Sequence, residues 1–319
     1  MYGVPVLLSG TASLILKQVE FNSIDSHYKN KIQFLQKLYD KTPDPVVYFL
    51  SGSLPASALL HIKQLTLFAM ITRLPENILH QIAKYILTTL NDKSKSWFFH
   101  IKTLTQLYQL PHPLVLLHNP LSKTSFKSLV KSKVCDYWEE KLRKLALPLT
   151  SLRYFHPNFM SLLKPHPLWT TCGSNSFEVS KAIIQAKLLS GRYRTESFLH
   201  HFGVLDILKC SLCHEECDGS LEHLLVQCKS LSDCYETQMN MIRNLSPNSR
   251  KIVENAKSES VVTFVQLLLD PSSLPDVIRE NQNDKTNQIL SEIFKFSRTW
   301  CYNIHVKRMK LLGRWKNNV

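Results

Sequence analysis

The chain has 319 residues, 44% hydrophobic and 20% charged, which is enough apolar material to bury a sizeable core and excludes a wholly disordered protein. Its 39 basic side chains outnumber 25 acidic ones for a net +14, a surplus that points to a polyanionic partner, RNA or DNA in preference to a membrane. Glycine is scarce at 8 residues, and neither GxGxxG nor a Walker-type GxxxxGK string occurs, which excludes folds built on phosphate-cradling loops.

The first sixteen residues lack the basic start of a secretion signal and lead straight into amphipathic helix. No apolar run approaches the roughly 18 to 20 residues of a membrane span. The expectation is an intracellular protein, nuclear or cytoplasmic and not secreted. From Leu14, the positions Leu14, Phe21, Tyr28, Ile32, Leu35 and Tyr39 repeat at helical spacing and predict one apolar stripe on a long helix ending before Pro43. The apolar run 46–50 reads equally as a strand or a buried connector. A second helix starts near Pro55, and Pro75 opens a third. The polar stretch 91–96 is a candidate hinge. Helices follow over 97–110 and 124–147, with turns at 111–113 and 118–120 between them. Four prolines and no clear period mark 148–175 as an irregular connector. Further helices are predicted around 179–189, 234–244, 260–269 and 286–312. The fold class is mainly α.

Five of the eight cysteines fall between Cys210 and Cys234. Cys210 and Cys213 form a C-x2-C pair, and after nine residues His223 and Cys228 form H-x4-C. A C-x2-C pair turns two thiolates toward one point, and the second pair supplies an imidazole and a third thiolate, the donor set of tetrahedral zinc. Cys217, Cys234 and His214 are rival ligands. Gly219 and Ser220 read as a loop exit and cap ahead of a short apolar turn in which Leu224 and Leu225 pack beside the site. Four protein ligands leave no position open for water, so the zinc is structural.

On the preceding helix, Lys181, Gln185 and Arg192 project from one side, with Val179, Ala182, Ile183, Ala186 and Leu189 on the other. Arg192-Tyr193-Arg194 closes it with two guanidinium groups around an aromatic, a combination suited to phosphate and an unstacked base. Lys181, Lys187, Arg192, Tyr193 and Arg194 are the candidate nucleic-acid contacts. Lys123, Lys127, Lys131, Lys133, Lys141, Arg143 and Lys144 form a second basic stretch, and Lys307, Arg308, Lys310, Arg314 and Lys316 around Trp315 a third. There is no Asp-Asp pair, D-x-D triplet, HExxH or G-x-S-x-G string, and the Asp276 and Glu280 pattern lacks a nuclease lysine, so no catalytic residues are assigned.

Three segments together resemble a known family: YGVPVLLSG at 2–10, PVVYFLSGSLPASALL at 45–60, and the C-x2-C, H-x4-C segment. They are similar to the part of LINE-type non-LTR retrotransposon reverse transcriptases that follows the palm. The resemblance implies a helical thumb-like region over 1–90, a helical connector over 91–175, a basic helix with a small CCHC zinc knuckle over 176–245, and a C-terminal helical region over 246–319. It implies Cys210, Cys213, His223 and Cys228 as zinc ligands, and element RNA or target DNA as partner. The family's palm aspartates and endonuclease are not recognisable in these residues, so the expected role is a nucleic-acid-binding fragment without polymerase activity by itself. The alternatives are a zinc-stabilised scaffold for protein interaction, or a thumb working with a palm supplied in trans.

Overall fold

The structure, a computed structural model, describes residues 10–90, 95–275, 277 and 286–313. The opening 2–9 of the family resemblance, residues 91–94 of the candidate hinge, Asp276, Glu280, Arg314, Trp315 and Lys316 lie outside the described residues. The fold is mainly α, and no strand occurs among the described residues beyond one isolated bridge between Lys209 and Glu216. No single described helix is long and apolar enough to cross a membrane. Two compact units form, one from the described residues of Met1–Ile32 and Ser53–Lys144, the other from those of Gln33–Gly52 and Leu145–Val319.

In the first unit lie the body of α1 (Gln18–Leu35), then α3 (Ala56–Thr72), α4 (Ile78–Thr89), α5 (Trp97–Leu107), α6 (Pro113–His118) and most of α7 (Lys123–Ala146); α2 (Asp44–Ser51) belongs to the second unit. Pro55 is the N-cap of α3, not a first-turn residue. The helix expected at Pro75 begins at Ile78, because the Asn77 side chain accepts from the Leu79 amide at 2.8 Å and caps it there. Between the two expected turns, α6 forms on Pro113, with the His112 ring accepting from the Leu114 amide. A polar cluster sits at the centre: His61 Nδ1 is 2.7 Å from the Tyr108 hydroxyl, which also accepts from Trp138 Nε1 at 3.2 Å. Burial, with the neighbouring His100, pushes His61 down to about 4, so the ring stays neutral and serves packing.

The expected stripe on α1 holds in its middle and fails at its ends. Leu35 is 77% exposed, whereas Gln33 and Gln36 are buried. The helix stops at Leu35 and the chain reverses through Lys37 at φ 53°. The two buried glutamine amides donate across the reversal to the carbonyls of Tyr39 and of Val47 in α2 at 2.6 and 3.0 Å. The run 46–50 is helical: α2 starts at Asp44 after the Pro43 N-cap and closes at Gly52, whose φ of 65° and close approach to Lys164 admit no side chain. All five of its apolar residues are buried, which is why neither helical nor strand period was visible.

The second unit continues through 3-10 turns and α8 (Pro167–Thr170) to α9 (Ser176–Leu189), α10 (Glu196–His201), α11 (Ser232–Ile242), α12 (Pro247–Glu259), α13 (Val261–Leu269) and α14 (Thr286–Leu311). The 148–175 stretch is irregular but largely internal, burying Tyr154, Phe155, Met160, Leu162 and Leu168. The polar side expected for α9 is corrected. Lys181 and Gln185 are buried, because α9 packs on both α13 and α14 and so has little free face. Gln185 Nε2 donates to the carbonyls of Leu268 and Leu269 at the end of α13. Trp300 of α14 anchors the core, with Phe264 and Phe296 edge-on to it and Tyr235 stacked at 6.3 Å.

Candidate metal centre

Cys210, Cys213, His223 and Cys228 come together with one ligand atom from each within 4.8 Å of all the others. Cys210 Sγ is 3.8 Å from Cys228 Sγ, and Cys213 Sγ is 3.5 Å from His223 Nε2. These sulfurs are free thiols, too far apart for a disulfide. The rivals stand apart from this group: Cys217 and His214 contribute no atom to it, and Cys234 accepts from Gln238 Nε2 instead.

Local chemistry builds each half. The Cys210 amide donates to the Glu215 carbonyl and the His214 amide to the Cys210 carbonyl, both at 3.0 Å, which curls the chain around the first pair. His214 takes φ 59° to complete the turn, and the Leu212 amide points at Cys210 Sγ from 3.4 Å. The second half is a π-helical turn, His223–Gln227, with the Cys228 amide donating back five residues to the His223 carbonyl at 2.8 Å. Over five residues an α-helix would rotate the two side chains about 140° apart, whereas a five-residue turn returns them to one side. This is how H-x4-C converges. The Ser220 hydroxyl accepts from the His223 amide at 3.3 Å and caps the turn as expected.

The turn is pinned from behind. Leu224 and Leu225 are buried, the Leu225 carbonyl accepts from Trp300 Nε1 at 2.9 Å, and the Tyr235 hydroxyl accepts from the Cys228 amide while donating to the Leu224 carbonyl. Glu196, on α10, accepts from the Ser211 hydroxyl and faces Arg308 Nη2 at 3.4 Å. Gly219 is the tight point, with φ 56° and a carbonyl that accepts from the Ser197 amide. A Cβ there would stand 2.6 Å from Glu196 Cβ. Gly219→Ala should therefore cost about 1–3 kcal/mol, seen as a lowered Tm; an unchanged Tm would refute the crowding.

Burial pushes the Cys228 thiol up to about 12, with the Cys210 thiolate charge adding to the effect, and burial also raises Cys210. Burial thus keeps these two thiols protonated, and a bound cation reverses that balance. The donor set therefore fits a metal ion.

The expected nucleic-acid contacts separate. Lys181 is buried, its Nζ 2.7 Å from Glu178 and 3.3 Å from the Thr299 hydroxyl, so it offers strand phosphates nothing. Tyr193 is buried too, with its hydroxyl 2.8 Å from His305 Nδ1 and its ring under Arg308, so no base can stack on it. Arg308, counted in the basic tail, is likewise internal. Arg192 and Lys187 are half-buried and Arg194 is exposed. Lys187 Nζ lies 5.0 Å from the Tyr39 ring centre, and burial together with the Lys37 ammonium holds it below the ordinary lysine value. Lys37 is thus a partner that no local sequence pattern singles out, because it sits 150 residues earlier in the chain. On α7, Lys123, Lys127, Lys131, Lys141 and Lys144 are exposed, but Lys144 pairs with Glu140 and the half-buried Arg143 with Glu139.

A Ser-His-Asp group among the described residues lacks relay geometry. Ser272 Oγ and Asp270 Oδ1 both lie 3.4 Å from the same nitrogen of His166, Nε2, while Nδ1 accepts from the Leu168 amide. Ser272, half-buried, donates directly to the buried Asp270 at 2.6 Å, so the trio braces the end of α13.

No family model, curated protein or solved structure matches the chain.

Proposed function

We propose that the chain is a zinc-stabilised, nucleic-acid-binding helical protein of the kind that follows the palm in LINE-type retrotransposon reverse transcriptases, gripping RNA or DNA without making or breaking its bonds. A CCHC zinc knuckle accounts for the cluster: Zn–S bonds of about 2.3 Å and Zn–N of about 2.0 Å place tetrahedral ligand atoms about 3.8 Å apart for S–S and about 3.5 Å for S–N. The two pairs stand at 3.8 and 3.5 Å. All four ligands are protein, so the ion's role is to hold the turn.

The observation that carries strand binding is the pairing of two ammonium groups, Lys187 over the Tyr39 ring and Lys37 near enough to Lys187 to help hold it below the ordinary lysine value. Like charges held together repel unless a polyanion relieves them. On a labelled single-stranded ten-mer, affinity should fall steeply with salt. Lys37→Gln with Lys187→Gln should flatten the slope of log affinity against log salt by about 1.4, or about 0.7 for each phosphate no longer neutralised. An unchanged slope would reject these contacts.

A second reading, a protein-interaction scaffold, is favoured by α4, which turns Ile78 (64% exposed), Ile82 and Tyr85 (60% exposed) outward beside Met70 and Leu74. Absence of strand binding even at low salt would favour it.

A further inference from the structure

The second unit also holds a cavity of about 540 Å³, within the range occupied by small ligands. Its walls are the 148–154 segment, the end of α9, α10, and the 218–221 part of the Cys/His turn. Phe202 stands at it 54% exposed, backed by Phe198 with ring centres 4.7 Å apart. The Arg192 guanidinium lies 5.7 Å from the centre of the Phe202 ring. Its Nε is buried and makes no hydrogen bond, and it has no carboxylate partner among the described residues. The other arginine at the cavity, Arg153, is already neutralised by Glu222. A half-exposed aromatic ring with an unneutralised guanidinium over it is a pairing that can take a base at the ring and its phosphate at the arginine.

We infer that this cavity takes one nucleotide of a single strand, turned out of its stack, with the base on Phe202 and a flanking phosphate on Arg192. The inference rests on the strand-binding reading above and adds a base-dependent contact that phosphate grip alone does not provide. Asp218, Ser220 and Leu221 form one wall and lie between the ligands Cys213 and His223, so the cavity persists only while the metal turn is folded.

The test uses the full chain and two fluorescent ten-nucleotide strands, polyuridine and its abasic counterpart, with anisotropy read at low salt. The wild-type protein should prefer the base-bearing strand by about tenfold. Phe202→Ala, at an exposed site and checked for an unchanged metal content, should bind both strands alike. A variant that keeps the full preference overturns the pocket. Equal wild-type affinity for the two strands also overturns it, while leaving polyanion binding intact. Binding to neither strand overturns both readings.

Discussion

Stripping the metal with a chelator should release one zinc per chain and melt the turn from Cys210 to Cys228, and Cys228→Ser should yield protein that never acquires the ion. In small peptides, structural zinc contributes on the order of 10 kcal/mol, because the unfolded chain offers no preformed site. The loss should spread further here. Leu225, wholly buried, presents its carbonyl to Trp300, so melting the turn uncovers a deeply buried tryptophan of the second unit. Near-ultraviolet circular dichroism should record that change alongside the metal assay. Cys217→Ser is the control and should keep both the zinc and the spectrum, since Cys217 lies outside the cluster. Full zinc occupancy in Cys228→Ser protein would refute the ligand assignment.

Replacing Glu196 should destabilise the second unit almost as visibly. Its carboxylate and the Arg308 guanidinium are both about 7% exposed. Burial works against the Glu196 charge, but the Ser211 hydroxyl and Arg308 outweigh it and hold the carboxyl below its ordinary range. Glu196→Ala strands a buried cation, which costs about 3–5 kcal/mol. For a unit of this size the Tm should drop on the order of 10 °C. The double variant Glu196→Met, Arg308→Met removes both charges and should recover much of the loss, since an apolar pair of similar volume avoids desolvation altogether. A Glu196→Ala protein melting within a degree or so of wild type would show that the pair is not coupled.

The Cys/His cluster was legible because metal chemistry restricts both residue type and spacing. C-x2-C and H-x4-C announce their partners within nineteen residues, and the π-helical turn realises the second spacing. Helices of clear period, such as α7 and α14, were legible for a similar reason. What failed depended on distant parts of the chain. Lys181 and Gln185 look like a polar face until α13 and α14 arrive to cover them, and Tyr193 looks like a stacking platform until His305 and Arg308 close over it. α12 went unseen because its buried residues, Ser249, Ile252, Val253 and Ala256, include a serine, tolerated inside because Glu292 accepts from it at 2.6 Å. Lys37 meets Lys187 only across 150 residues of chain, and no local pattern marks it.

The latch between the π-helical turn and α14 also orders events during synthesis. Cys228 leaves the ribosome 72 residues before Trp300, the indole that fastens the turn. At about 5–20 residues per second that interval lasts several seconds. A nascent chain thus presents three thiols and an imidazole to the surrounding solvent before their anchor exists, so an ion taken up at that stage would shield them from oxidation while α14 is still being made.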